Sequence, residues 1–204
     1  MLAVVILAAG ESRRMGQPKA LLPFPDKSAT KTNSAKSKTF LEHLMEVTRH
    51  ERVGVLRVVV GAHAKEIGAS AKLDADELVV NEDWRRGQLS SLQAAIRSLP
   101  AEAEGMILCL VDHPLISASL VSSLIEAFDR TKRNIVIPTF RARRGHPVIF
   151  PRALFAELLD APEEVGARAV VRAHAAEIVE VPTEEEGVVL NLNDPATLKE
   201  FLHP

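Results

Sequence analysis

The residues with most chemical character lie in one stretch, Leu7-Ala8-Ala9-Gly10-Glu11-Ser12-Arg13-Arg14-Met15-Gly16-Gln17-Pro18-Lys19. Its first half is small residues leaving an apolar run. Small residues after a parallel strand let backbone N–H groups approach a ligand at the carboxyl edge of a sheet. Arg14 and Lys19 add the fixed positive charge that a triphosphate requires and that backbone amides alone lack. An ordinary strand-to-helix turn with exposed cations has the same composition. The stretch lacks the Gly-Lys-Ser/Thr of a P-loop and the GxGxxG fingerprint, so those two nucleotide-binding readings fail. His43, His50, His63 and His174 show no paired ligand spacing. Cys109, inside an apolar run, reads as a core thiol and, being the only cysteine, permits neither an intramolecular disulfide nor a Cys-based zinc site.

Charge is unevenly distributed. The chain carries a formal charge of −2, which disfavours a globally basic nucleic-acid binder. Gly10 to Lys38 nevertheless sums to +5 and Arg130 to Arg152 to +7, leaving −14 on the remainder. Two positive segments on an acidic protein suit small polyanionic ligands gathered by local fields. The rival reading is two solvated faces, and for Lys27 to Lys38 it is the better one.

The elements that must position these residues follow from hydrophobic patterning. Leu2 to Leu7, Val53 to Val60, Glu77 to Val80, Met106 to Val111 and Asn134 to Ile137 read as buried strands. Between them lie helical patterns: one capped by Thr39, then His63 to Leu73, Leu89 to Leu99, and Ser117 to Phe128 with Ser117 as N-cap. This order implies a mostly parallel α/β sheet with helices on both faces. Beyond Ile137 the reading is a loop and strand from Pro138 to Pro151, and a helix from Pro151 to Leu159. A helix from Gly166 to His174, a strand from Glu177 to Val181 and a closing helix from Ala196 to Leu202 follow. The 204 residues are expected to form a single domain, with residues 26–38 a mobile polar loop. The longest apolar run, Leu2 to Ala9, is far short of the ~20 residues that span a bilayer. No secretory leader is evident either, so a cytoplasmic enzyme without a membrane partner is expected.

The first stretch resembles the signature of nucleotidyltransferases of the molybdenum cofactor family, and further motifs follow in that family's order. Asn81 and Trp84 precede Gly87-Gln88-Leu89-Ser90-Ser91-Leu92; Asp112-His113-Pro114 ends a buried strand; Gly145-His146-Pro147 and Asn191-Leu192-Asn193-Asp194-Pro195 come later. The resemblance implies a doubly wound, mostly parallel Rossmann-like sheet with a small C-terminal β/α extension. It implies that Leu7, Ala8, Ala9, Gly10, Ser12, Asn81, Gly87 and Ser91 line the nucleotide. Arg14, Lys19 and Asp112 become the catalytic set, with Arg14 and Lys19 on the phosphates. Asp112, with Asn193 as a second oxygen, would coordinate Mg²⁺. Arg143, Arg144 and His146 would receive the acceptor.

Each role has a structural rival. Asp112 before Pro114 also suits a turn or helix cap, Asn193 a turn, Ser90 and Ser91 ordinary N-caps, Trp84 a packing residue and His146 a turn histidine. Ala196 and Thr197 replace acids common after the family's last motif.

The reaction implied is transfer of a nucleoside monophosphate to an anionic phosphate acceptor of molybdopterin type, with a molybdoenzyme or its chaperone as recipient. Ala9, Gln88 and Gly-His-Pro lean toward CTP, with a GTP-using guanylyltransferase or a sugar-1-phosphate nucleotidyltransferase as alternatives. The rival outside enzymes is a nucleotide-binding cofactor chaperone.

Overall fold

The computed structural model describes residues 1–24, 37–194 and 196–198. The expected loop 26–38 therefore lies almost wholly outside the described residues, as does most of the expected closing helix. Eight strands form one mixed sheet: β1 (Leu2–Ala8), β2 (Val53–Val60), β3 (Leu78–Val80), β4 (Gly105–Leu110), β5 (Val136–Phe140), β6 (Arg143–Arg144), β7 (Val148–Pro151) and β8 (Val179–Pro182). Their spatial order is β3-β2-β1-β4-β7-β5-β6, with β8 also pairing β5. The first four run parallel, and β7 lies antiparallel between β4 and β5. The expected mostly parallel α/β sheet is thus present.

Period-two alternation in β1 explains how one apolar run serves two cores. Val4, Ile6 and Ala8 join the core under α1 (Phe40–Val47), α2 (Ala64–Ala71) and α4 (Ala118–Thr131). Ala3, Val5 and Leu7 face the other way, beneath α3 (Gln88–Ser98), α5 (Phe155–Leu159) and α6 (Arg168–Ala173). Phe40, Phe128 and Phe150 are completely buried, and each such side chain contributes roughly 1.5–3 kcal/mol by leaving water. Caps agree with the sequence reading: Thr39 and Glu42 form a reciprocal capping box, and Ser117 Oγ accepts from the Leu120 N–H at 3.1 Å. Among the described residues no helix is long and apolar enough to cross a membrane.

The segment 138–151 departs from expectation. It is a hairpin in which β5 runs on to Phe140, Arg141 and Ala142 take positive φ, and Arg143–Arg144 return as β6. The basic segment is split by this geometry. Lys132 lies 3.7 Å from Glu104 and Arg152 donates to the carbonyls of Pro100 and Ala103, both at the amino end of β4. Arg141 stacks over Phe140 at 5.0 Å. The +7 run is not a single surface.

At the amino edge of the sheet, Arg52 bridges Glu104 and Asp129, and the N-terminal ammonium also binds Glu104. The ammonium and Arg52 hold the Glu104 carboxyl down at about 2, against an ordinary value of 4.5. A depressed carboxylate stabilises the fold above its unfolded value and loses that contribution as pH falls through the folded one. The melting-temperature advantage of the native chain over Glu104→Gln should therefore shrink as pH falls from 4.5 toward 2. An unchanging gap over that range would refute it. A second expectation concerns the carboxyl-terminal segment, which Gly187 docks. A Cβ there would stand 1.7 Å from the Leu115 carbonyl oxygen. Gly187→Ala should cost about 1–3 kcal/mol by overpacking and lower the melting temperature by several degrees; an unchanged melt would show the contact to be soft.

Candidate active site

Four parallel strands end at one edge, and the chain departs from β1 toward β2 on one side while β4 flanks the other. Ligands of open α/β sheets bind at such a switch point. After β1, Ala9 and Gly10 leave the sheet, and Ser12 adopts left-handed backbone at φ 54. Its Oγ accepts from the Lys19 N–H at 3.1 Å, closing residues 12–19 into a loop. Gly61, just past β2, allows the walls to approach: a Cβ there would lie 2.6 Å from Trp84 Cβ and 2.7 Å from the Ala9 carbonyl oxygen.

Lys19 Nζ lies 3.4 Å from Asp112 Oδ2 and donates to Asn193 Oδ1. Three segments thus meet at one ammonium. Asp112 arrives just beyond β4, where Val111 N–H still bonds the Leu7 carbonyl at 3.2 Å. Asn193 is delivered by its neighbour Leu192, which is buried and donates its N–H to the Asp112 carbonyl at 2.7 Å. The Lys19 and Asp112 side chains keep only 15% and 25% of their exposure. A carboxylate and an amide oxygen converging on a cation form a hard-oxygen donor set, which suits a divalent ion that also takes phosphate oxygens.

Two cavities meet here. The first, about 560 Å³, is lined by Leu7 to Arg13, Pro18 to Ala20, Trp84 and the start of α3, and by Asp112. The second, about 740 Å³, lies beneath α3, α6 and the β5–β7 hairpin. They share Leu7, Gly87, Gln88, Leu110 and Asp112. Both are of the size of small-molecule sites, and Asp112 stands at the boundary.

The structure brings Leu7, Ala8, Ala9, Gly10, Ser12, Gly87, Ser91, Lys19 and Asp112 to the first cavity. Asn81 is a correction: buried outside that wall, it donates to Ser90 Oγ and Ser91 Oγ, each at 2.9 Å, and accepts from the Asp83 N–H. Its amide is spent on holding the turn before α3. Arg14 also lies outside the cavity wall; Arg13 lines it, paired to Glu11 at 2.8 Å. The Asp194 carboxyl is held low chiefly by the Thr197 N–H and hydroxyl, with smaller contributions from the Ala196 N–H and the charge of Arg14.

Of the residues expected to receive the acceptor, Arg144 and His146 line the second cavity, but Arg143, on the alternate position of β6, does not. Arg144 is paired to Glu180 at 2.8 Å. Burial pushes the His146 imidazole down to about 4, so it is neutral near pH 7. Its ring lies 4.9 Å from that of His113, which burial also lowers and whose Nδ1 has no partner among the described residues. His113 and Arg168 in this wall escaped the sequence reading. Arg168 sits in an unremarkable amphipathic helix, and only the fold turns it to the cavity.

Comparison with known proteins bears on this site. A curated relative from Mycobacterium avium, named "Probable molybdenum cofactor guanylyltransferase", is 32% identical over 97% of this chain and 93% of its own. "Nicotine blue oxidoreductase" from Paenarthrobacter nicotinovorans is 29% identical over 74% of this chain and 71% of its own. The crystal structure of Rv0371c from Mycobacterium tuberculosis superposes with a TM-score of 0.81 at 24% identity, covering 100% of this chain and 99% of that one. A complex of that protein with manganese superposes at 0.77, with 24% identity and coverage of 100% and 98%. Residues 4–178 match the model of the MobA-like NTP transferase domain, and the chain belongs to that family.

Proposed function

We propose that the protein transfers a nucleoside monophosphate from GTP to the phosphate of a molybdopterin-type acceptor, releasing pyrophosphate. The observation that carries this is the meeting of Lys19, Asp112 and Asn193 at the boundary between two cavities. The triphosphate occupies the first cavity, its base and ribose along Leu7 to Gly10 and Ser91. The acceptor occupies the second. Its phosphate oxygen attacks the α-phosphorus near Asp112, one P–O bond forms, and the bond to the pyrophosphate oxygen breaks. A phosphomonoester, with a second pKa of about 6, is already largely a dianion near neutrality, so no base has to remove a proton. Positioning and charge neutralisation do the work. Lys19 turns from its carboxylate partner to the leaving phosphates, and a magnesium ion bound by Asp112 and Asn193 would neutralise charge on the phosphate oxygens.

GTP is favoured because the relative at 32% identity bears a guanylyltransferase name. The sequence lean toward CTP rests on Ala9, Gln88 and Gly-His-Pro; the methyl group of Ala9 forms part of the wall but offers a base no hydrogen bond.

Lys19→Ala and Asp112→Ala should each lower turnover by at least about a hundredfold. Both should melt within a few degrees of wild type, and near-native turnover by either removes it from the mechanism. In a melting screen of the four triphosphates with Mg²⁺, GTP should stabilise most. At about 100 times its Kd the gain is about 2.7 kcal/mol, or roughly 5–10 °C for a chain of this size. A larger shift with CTP overturns the guanine preference, and no shift with any triphosphate overturns the reading.

A further inference from the structure

The second cavity contains an unequal set of cations. Arg86, Arg144 and Arg168 all reach its wall. Arg86 is bound by Glu163, with Asp83 at 3.6 Å, and Arg144 is bound by Glu180. Arg168, the first residue of α6, has no carboxylate within ion-pair distance among the described residues. A guanidinium keeps its charge at any physiological pH and presents a fork of donors that matches phosphate or carboxylate. The rest of the wall adds no further arginine or lysine; beside its apolar side chains stand Gln88, Asn191 and the carboxylates of Asp112, Glu163 and Glu164, which leave the arginines as the positive groups an anion can use. An anion entering this cavity therefore finds one guanidinium not already committed to a carboxylate.

Building on the nucleotidyl-transfer reading, we infer that Arg168 anchors the anionic group of the acceptor in the second cavity, and that Arg143 and Arg144 do not. Arg143 lies outside the cavity wall. Arg144 is already paired with Glu180, whose carboxylate also repels a phosphate placed beside it. Arg168 carries no such pairing among the described residues. The residue is thus a determinant of acceptor binding and not of nucleotide binding, since it is absent from the wall of the first cavity.

Phenyl phosphate, a flat apolar ring carrying a phosphomonoester, is the probe. It is titrated calorimetrically into the full chain, both alone and with the first cavity filled by the α,β-methylene analogue of GTP and Mg²⁺. Arg168 is thereby tested whether or not a triphosphate binds. Wild type should bind saturably. Arg168→Gln should weaken binding at least tenfold, Arg168→Lys should recover part of that loss, and Arg143→Gln and Arg144→Gln should stay within about twofold. Triphosphate stabilisation in the melting screen should be the same for Arg168→Gln and wild type. Unchanged phenyl phosphate binding in Arg168→Gln, an equal loss in Arg144→Gln, or no binding by wild type overturns the anchor. A parallel loss of triphosphate stabilisation would make Arg168 a general structural residue and overturn it as well.

Discussion

The ammonium of Lys19 is held by oxygens from two distant parts of the chain, Asp112 and Asn193. A charge drawn largely out of water is matched by such partners, and their meeting joins three segments into one site at the carboxyl edge of the sheet. Ser12 takes left-handed backbone so that its hydroxyl can catch the Lys19 N–H. The β4 ladder continues through Val111, which fixes where Asp112 emerges. Burial of Leu192 then ties the carboxyl-terminal segment to the Asp112 carbonyl and presents Asn193. Each contact is local in cause, but together they close a site from three segments.

The rigidity behind that site comes from the two-faced sheet. β1 is buried on both sides, and its alternate residues key into separate cores, so its register cannot slip without exposing apolar groups on both faces. Small residues are placed where walls must approach. Gly61 brings Trp84 against the Ala9 carbonyl, and Gly187 seats the carboxyl-terminal segment on Leu115. The cavity is therefore a product of packing at its floor and of backbone clearance at its rim.

Electrostatics distinguishes the two cavities. The first is organised around the Lys19 ammonium and the oxygens of Asp112 and Asn193. The second mixes apolar side chains with acids, amides, two histidines and three arginines, two of which are bound by acids. Clustering of charge along the sequence proved a poor guide here. The chain spreads Lys132, Arg141, Arg144 and Arg152 over different ends of the sheet, and each of the four meets a carboxylate, a carbonyl or a ring.

The sequence by itself determined the parallel α/β order, since runs of Val, Ile and Leu separated by amphipathic segments admit few other arrangements. It also determined the small-residue turn with Lys19, and the emergence of Asp112 from a buried strand. Those features are local, and local patterning is written in residue periodicity. Tertiary structure decided what periodicity does not encode: that Asn81 spends its amide on Ser90 and Ser91, that Arg14 stays outside the cavity wall, and that residues 138–151 fold as a hairpin that sends Arg143 and Arg144 different ways. It alone turned Arg168 toward the second cavity, because which partners a polar side chain meets depends on segments distant in sequence, and only the packed sheet brings those together.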